Sequence, residues 1–253
     1  MVNMGIENDG RTIIISNLTV KFGEITAVDK LNLEVKKGEL FGLLGPNGAG
    51  KTTTINVLCG LLKPTEGSAT VGGYDVQKEP RKVKELIGVC TQETAVYPFL
   101  TGRENIELFG NLYAVPKRKL KESTEDLLEK MGLMEEADKR VGRYSGGMKR
   151  RVNLAIALVH DPEIAFLDEP TVGMDPQSRQ AVWNFIRELK DRGKTIVLTT
   201  HYMEEADHLC DRVGIIDRGS VMALDSPKGL KERFKAKDLE EAFIQLTGRK
   251  IRD

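Results

Sequence analysis

The octapeptide Gly45-Pro-Asn-Gly-Ala-Gly-Lys51-Thr52 stands between a strand-like run, Glu39–Leu44, and the segment Thr53–Cys59, which reads as a helix. This G-x-x-x-x-G-K-[ST] spacing constrains the chain more than any other feature. Its glycines let successive backbone N–H groups turn toward one point, where a helix N-terminus adds positive dipole. Lys51 adds a point charge suited to the β- and γ-phosphates of a nucleotide, and the Thr52 hydroxyl is suited to Mg²⁺. The candidate phosphate-binding residues are therefore Gly45, Pro46, Asn47, Gly48, Ala49, Gly50, Lys51, Thr52 and Thr53.

The rest of the chain fits an α/β fold. Thr12–Ser16, Leu18–Phe22 and Leu31–Val35 read as further short strands punctuated by Gly23 and Gly38. The middle third changes period. Thr101 and Glu104 form a capping-box pattern opening a helix to Ala114, and Leu120, Leu127, Leu128 and Met131 share one helical face ending near Gly132. Strands then return at Ile164–Asp168, Thr195–Thr200 and Val213–Asp217, around a helix Pro176–Asp191 capped by Asp175. Strands spaced by helices predict a mostly parallel sheet covered on both faces. The expected organisation is one domain over residues 1–253, with a core of about 1–92 and 161–235, a helical lobe of about 93–160 and a short tail 236–253.

Charge excludes some partners. Thirty-eight Lys+Arg balance 38 Asp+Glu, so there is no bulk basic field to recruit nucleic acid. The uncharged run Leu40–Gly50 is far short of the ~20 apolar residues of a membrane span, and residues 1–10, with two acids and no base, have no signal-peptide pattern. Cys59, Cys90 and Cys210 form no CxxC pair, which fits a reducing cytosol and argues against structural zinc.

Two strand ends carry candidate chemistry. Ile164–Asp168 closes on Asp168 and Glu169, which strand alternation would send to opposite faces. Asp168 is then placed to orient Mg²⁺ through its waters, and Glu169 to polarise a water attacking the γ-phosphate. His201 follows Thr195–Thr200 at the end of another parallel strand, where open α/β sheets keep their ligand crevice. His160, at a helix end, and His208, among acids on a solvated helix, read as ordinary structural histidines.

The segment Tyr144-Ser-Gly-Gly-Met148 opens a helix on unfavourable terms. Ser145 is a good N-cap, but Gly146 and Gly147 each cost up to ~1 kcal/mol against alanine. Lys149, Arg150 and Arg151 carry the wrong sign for a helix N-terminus and read either as a solvated basic face or as company for a docking phosphate. Since one phosphate loop is already present, this second element would serve a nucleotide held by another subunit.

Taken in order, these residues resemble the ATP-binding cassette (ABC) transporter ATPases, from about Ile13 to Phe234. The likeness runs through Walker A at Gly45–Thr52, the Q-loop at Gln92, the signature at Tyr144–Met148 and Walker B at Ile164–Asp168. Glu169, the D-loop Gly173-Met-Asp175 and the switch histidine His201 complete it. It implies a P-loop NTPase core with a mostly parallel sheet, an N-terminal antiparallel β-subdomain and an inserted helical subdomain. It also implies ATP and Mg²⁺ as ligands, a second ATP-binding subunit, and a separate integral membrane permease holding the chain at the cytoplasmic face of the membrane. Phe22 would stack on adenine, Gln92 would complete the Mg²⁺ shell, and Ser145, Gly146 and Gly147 would clasp the partner's γ-phosphate. Asp175 would lie at the dimer interface, and His201 would contact the γ-phosphate of its own subunit. The signature, the Thr-Thr-His-Tyr-Met-Glu-Glu-Ala run and the tail Leu239–Asp253 resemble the drug-, lipid- or polysaccharide-exporter branch of daunorubicin-resistance type. Tyr144 and Met148 stand where that signature most often has Leu and Gln, and Phe22 where tyrosine is commoner.

Two other functions use the same motifs. A non-transport cassette of DNA repair would carry a long coiled coil between phosphate loop and signature, and translation cassettes come in tandem. An ATP-sensing regulator has no need of both Glu169 and His201. ATPase activity and co-purification with a membrane protein separate the three.

Overall fold

The structure is a computed structural model that describes residues 10–248. The expectations for residues 1–9 and for the last five residues of the tail lie outside it. Strands β1 (Arg11–Phe22), β2 (Ile25–Lys36) and β3 (Leu40–Leu44) precede helix α1 (Lys51–Leu58). Next come β4 (Glu66–Val71), β5 (Tyr74–Asp75), α2 (Pro80–Leu86), β6 (Ile87–Cys90), α3 (Gly102–Leu112), α4 (Lys117–Lys130) and α5 (Gly146–Leu158). The remainder is β7 (Ile164–Asp168), α6 (Pro176–Asp191), β8 (Thr195–Thr200), α7 (Met203–Leu209), β9 (Arg212–Asp217), β10 (Ser220–Asp225), α8 (Pro227–Arg233) and α9 (Leu239–Thr247).

Six strands form the central sheet in the order β10-β9-β3-β8-β7-β6, parallel except for β10 at the edge. Every residue of β3, β7 and β8 is buried, as a parallel sheet covered on both faces requires. Alternate residues feed two separate cores. Leu40, Leu44, Ala165, Leu167, Ile196 and Leu198 face the core built with α4, α5 and α6. Phe41, Leu43, Ile164, Phe166 and Val197 face α1 and the second sheet. That second sheet is antiparallel, ordered β2-β1-β4-β5.

Two strand expectations, Thr12–Ser16 and Leu18–Phe22, merge into the single strand β1. Its pairing to β2 shifts register between Ile15 and Leu18, where Asn17 takes a positive φ of 47°. Such bulges bend a strand without ending it. The capping box of α3 is complete, Thr101 Oγ1 accepting from the Glu104 N–H and Glu104 Oε2 from the Thr101 N–H. Leu120, Leu127, Leu128 and Met131 are all buried, and Gly132 turns the chain at φ 61°.

Candidate nucleotide site

Parallel strands β3, β8, β7 and β6 are neighbours, and their carboxyl ends lie in register: Leu44 pairs with Thr200, Asp168 with Thr199, and Cys90 with Leu167. The residues that follow them are therefore delivered to one edge of the sheet: the loop from Gly45, then His201, Glu169 and Gln92. A pocket of about 320 Å³ there is lined by Ala27, Asn47, Gly48, Gly50, Lys51, Thr52, Thr53, Gln92 and Glu169.

The loop is glycine-rich for steric reasons. A Cβ on Gly45 would lie 2.2 Å from the Ile216 carbonyl oxygen, and one on Gly50 2.4 Å from that of Ala27, with Gly50 also at φ 103°. Lys51 folds back over the loop, its ammonium donating to the carbonyls of Gly45 (2.8 Å) and Pro46 (3.0 Å). Burial lowers its pKa below the ordinary lysine value, while Glu169 and Asp168 act the other way. Ala49, within the loop, is buried.

Asp168 and Glu169 do not obey strand alternation. Glu169 takes φ 50°, a left-handed conformation costing about 1–2 kcal/mol in a non-glycine residue. The turn brings both acids to the first turn of α1. Asp168 Oδ2 accepts from the Thr52 hydroxyl at 2.8 Å, and Glu169 Oε1 lies 3.7 Å from Lys51 Nζ. Asp168 also accepts from the Thr199 hydroxyl, which itself accepts the Glu169 N–H at 3.1 Å. Glu169 is shared further: Oε2 accepts from Gln92 Nε2 at 3.2 Å, and Oε1 lies 3.0 Å from His201 Nδ1. One buried carboxylate thus meets an amide, an imidazole and an ammonium.

Thr52, Asp168 and Gln92 offer only oxygen and amide donors, which suits a hard cation such as Mg²⁺. Among the described residues no cluster of three His, Cys, Asp or Glu could cage a metal alone. Phosphate oxygens and water would have to complete the shell, as Mg²⁺ prefers.

Phe22, Ser145, Gly146 and Gly147 do not line this pocket. Phe22 ends β1 with its ring half exposed. Ser145 caps α5, accepting the Met148 N–H at 3.2 Å. A Cβ on Gly146 would meet nothing within 4 Å, and one on Gly147 would first meet Met174 at 3.8 Å. Packing among the described residues therefore does not require either glycine.

Two sequence expectations fail beside the site. Arg150 is not on a solvated face but buried, its guanidinium bonded to main-chain carbonyls of Gln92 and Glu169. Its position one turn before the buried Leu154 and two before Ala157 is the signal that marks it as inward-facing. On α7, Glu204 and His208 are exposed but Glu205 is buried, accepting from the Thr171 hydroxyl (2.7 Å) and the Trp183 indole (3.0 Å). His160 is half buried and stacks on Tyr113.

Comparison with known proteins agrees with this geometry. The ABC transporter family model matches residues 28–172. The linearmycin resistance ATP-binding protein LnrL of Bacillus subtilis is 45% identical over 231 residues, covering 91% of this chain and 73% of that protein. The doxorubicin resistance ATP-binding protein DrrA of Mycobacterium tuberculosis is 41% identical over 250 residues, covering 98% of this chain and 74% of that protein. Among solved structures, an ATP-binding subunit of an ABC transporter superposes with a TM-score of 0.85 at 26% identity, covering 93% of this chain and 99% of that one. The dimeric, post-hydrolysis ATP-binding cassette MJ0796 bound to ADP and Pi superposes with a TM-score of 0.78 at 29% identity, covering 85% of this chain and 98% of that one. The chain belongs to the ABC transporter family. Within it, the chain is an ATP-binding subunit of the ATP-hydrolysing type, homologous to the drug-resistance ATPases.

Proposed function

We propose that this chain works as one of two ATP-binding subunits that drive a separate membrane permease in export, from the cytoplasmic face of the membrane. The observation that carries the two-subunit reading is the bare helix start at Gly146 and Gly147, whose glycines no contact among the described residues demands. A phosphate docking from outside accounts for both the exposed N–H groups and the missing side chains. Export rests on the relatives named for resistance to linearmycin, doxorubicin and daunorubicin. In this reading a permease supplies the path; no helix among the described residues is long and apolar enough to cross a membrane.

In this reading Gly45–Thr53 cradle the phosphates of ATP, Lys51 neutralises the β- and γ-groups, and Phe22 stacks on the base. Thr52, Asp168 and Gln92 would hold Mg²⁺, which supplies charge neutralisation across the phosphates. Glu169 accepts the proton of the attacking water, held by His201 and Gln92 on its two oxygens. Ser145, Gly146 and Gly147 meet the γ-phosphate bound by the partner. The intact Glu169–His201 contact favours turnover over ATP sensing.

The test is Lys51→Ala, since burial and the loop carbonyls leave this one ammonium aimed at the phosphates. ATP binding and phosphate release should both be lost, while the parent chain co-purifies with a membrane protein. ATP turnover surviving the substitution would show that the loop is not the site. A parent chain that hydrolyses ATP but retains no membrane partner would remove the transport reading.

A further inference from the structure

The signature helix α5 grips the catalytic edge of the sheet through one side chain. Arg150, in the second turn of α5, is 4% exposed. Its Nη1 donates to the carbonyls of Thr91 and Gln92, the latter at 2.8 Å. Its Nη2 donates to those of Asp168 and Glu169, the latter at 2.7 Å, and Nε reaches the Pro170 carbonyl at 3.4 Å. One planar fork therefore spans the two segments that follow β6 and β7. Among the described residues no carboxylate forms an ion pair with it, and each of these hydrogen bonds goes to a main-chain carbonyl. That is an expensive arrangement for packing alone, since an apolar side chain would fill the same space without the desolvation cost.

What the fork holds is the backbone of the two residues whose side chains meet at 3.2 Å, Gln92 and Glu169. Asn153, one turn further along α5, adds a bond to the Thr91 carbonyl at 3.2 Å and accepts the Ala95 N–H at 3.1 Å. Ser145 caps the start of helix α5. The helix start, the Gln92 segment and Glu169 are thus tied into one rigid frame.

We propose that Arg150 is a positioning residue for ATP hydrolysis, holding the backbone of Gln92 and Glu169 at the spacing their side chains need and anchoring both to α5. The proposal rests on the roles given above to Gln92 and Glu169. It touches no phosphate and adds no chemistry of its own. A displacement of about 1 Å at a reacting group costs on the order of a hundredfold in rate. Loss of the fork should therefore appear in kcat, not in the affinity for ATP.

The full-length chain carrying Arg150→Met, Arg150→Lys, Gln92→Ala, Arg150→Met with Gln92→Ala, or Glu169→Gln is compared with the parent for kcat, KM for ATP and thermal unfolding. Arg150→Met should lower kcat by about 30-fold or more and leave KM within about threefold. Arg150→Lys, a point charge able to hold one carbonyl pair, should recover part of the rate. The double variant should be little worse than its slower parent, because both changes act on one contact. A folded Arg150→Met with kcat within about twofold of the parent overturns the proposal. So do parallel losses of kcat, ATP affinity and unfolding temperature with no recovery in Arg150→Lys and an additive double variant, which describe a clamp for stability only. If Arg150→Met does not fold, Arg150→Lys is judged alone: lowered kcat at unchanged KM supports positioning, and unchanged kcat overturns it. Parental turnover by Glu169→Gln removes the site reading itself, and the proposal with it, whatever the Arg150 variants do.

Discussion

The Lys51 ammonium lies 3.7 Å from the Glu169 carboxylate, and each side chain is only 5% exposed. The two belong to different halves of the chain and meet only because β3 and β7 both flank β8. The Glu169 carboxylate alone meets three neighbours, Gln92, His201 and Lys51, while its backbone N–H is held by Thr199 and its carbonyl by Arg150.

That crowding makes Glu169→Gln informative. The amide keeps the shape and most of the hydrogen bonds but cannot take a proton from water. ATP should still bind, phosphate release should fall by about 10²-fold or more, and subunit pairs should accumulate at saturating Mg-ATP. Phosphate-release kinetics and light scattering check both. Parental turnover would show that another group activates the water, and a variant that stays monomeric would weaken the two-subunit reading.

Gly147→Asp tests the helix start from the other side. Its Cβ has room, with Met174 no nearer than 3.8 Å, so the fold should survive. Negative charge where a partner's phosphate docks should abolish turnover while leaving ATP binding by the single subunit within about threefold. Mixing this variant with Lys51→Ala restores one complete interface site, and part of the ATPase rate should return. No recovery in any mixture would leave Ser145–Gly147 as a capped helix end and nothing more.

The protein's acid stability should depend on His160. Its ring stacks on Tyr113 at 3.8 Å, and Nε2 lies 3.0 Å from the Ile87 carbonyl while Nδ1 has no hydrogen-bond partner among the described residues. Burial lowers its pKa below 6.5, opposed by the Ile87 carbonyl and Asp161 and reinforced by Lys194. The folded state therefore binds a proton less readily than the unfolded chain. Its contribution is complete above the unfolded value and is lost as pH falls through the folded one. The unfolding temperature should drop between about pH 7 and about pH 5, and His160→Phe, which keeps the ring stack, should show a shallower drop. Equal slopes would remove His160 as the cause.

Much of this architecture is legible in the sequence because its signals are local. The runs Ile164–Asp168 and Thr195–Thr200 and the helix Pro176–Asp191 are bounded by their own caps and charges, and the structure ends them at the same residues. Short elements are another matter. Strands β4 and β5 are stabilised by pairing with β1 and each other, contacts that no nearby residue announces. Glu169 misleads for a related reason: period-two reasoning assumes extended backbone, and a φ of 50° redirects the side chain. Arg150 is legible as a cation but not as a clamp, because its acceptors are main-chain carbonyls of remote segments, which any sequence supplies.

The loop 93–100 is apolar for a connecting segment. Val96 packs onto the core beneath, and Leu100 is partly buried, but Tyr97 is 52% and Phe99 81% exposed. One face of the Tyr97 ring leans on Phe109 of α3, with ring centroids 6.2 Å apart, but the backbone has its own anchor. Asn105 accepts the Tyr97 N–H at 2.7 Å and donates to the Tyr97 carbonyl at 3.1 Å, pinning the backbone to α3. Two exposed rings on a pinned loop, five and seven residues past Gln92 in the chain, are suited to receive an apolar segment of the proposed permease. Burying a phenylalanine ring is worth about 2 kcal/mol, or about 30-fold in affinity. Phe99→Glu and Tyr97→Glu should therefore leave the isolated subunit folded, with ATPase activity within about twofold of the parent, and weaken capture of the permease by at least about 30-fold. Transport in reconstituted vesicles should fall in step. Undiminished capture and transport in both variants would put the coupling surface elsewhere, and loss of folding would mean that the rings support the helical lobe after all.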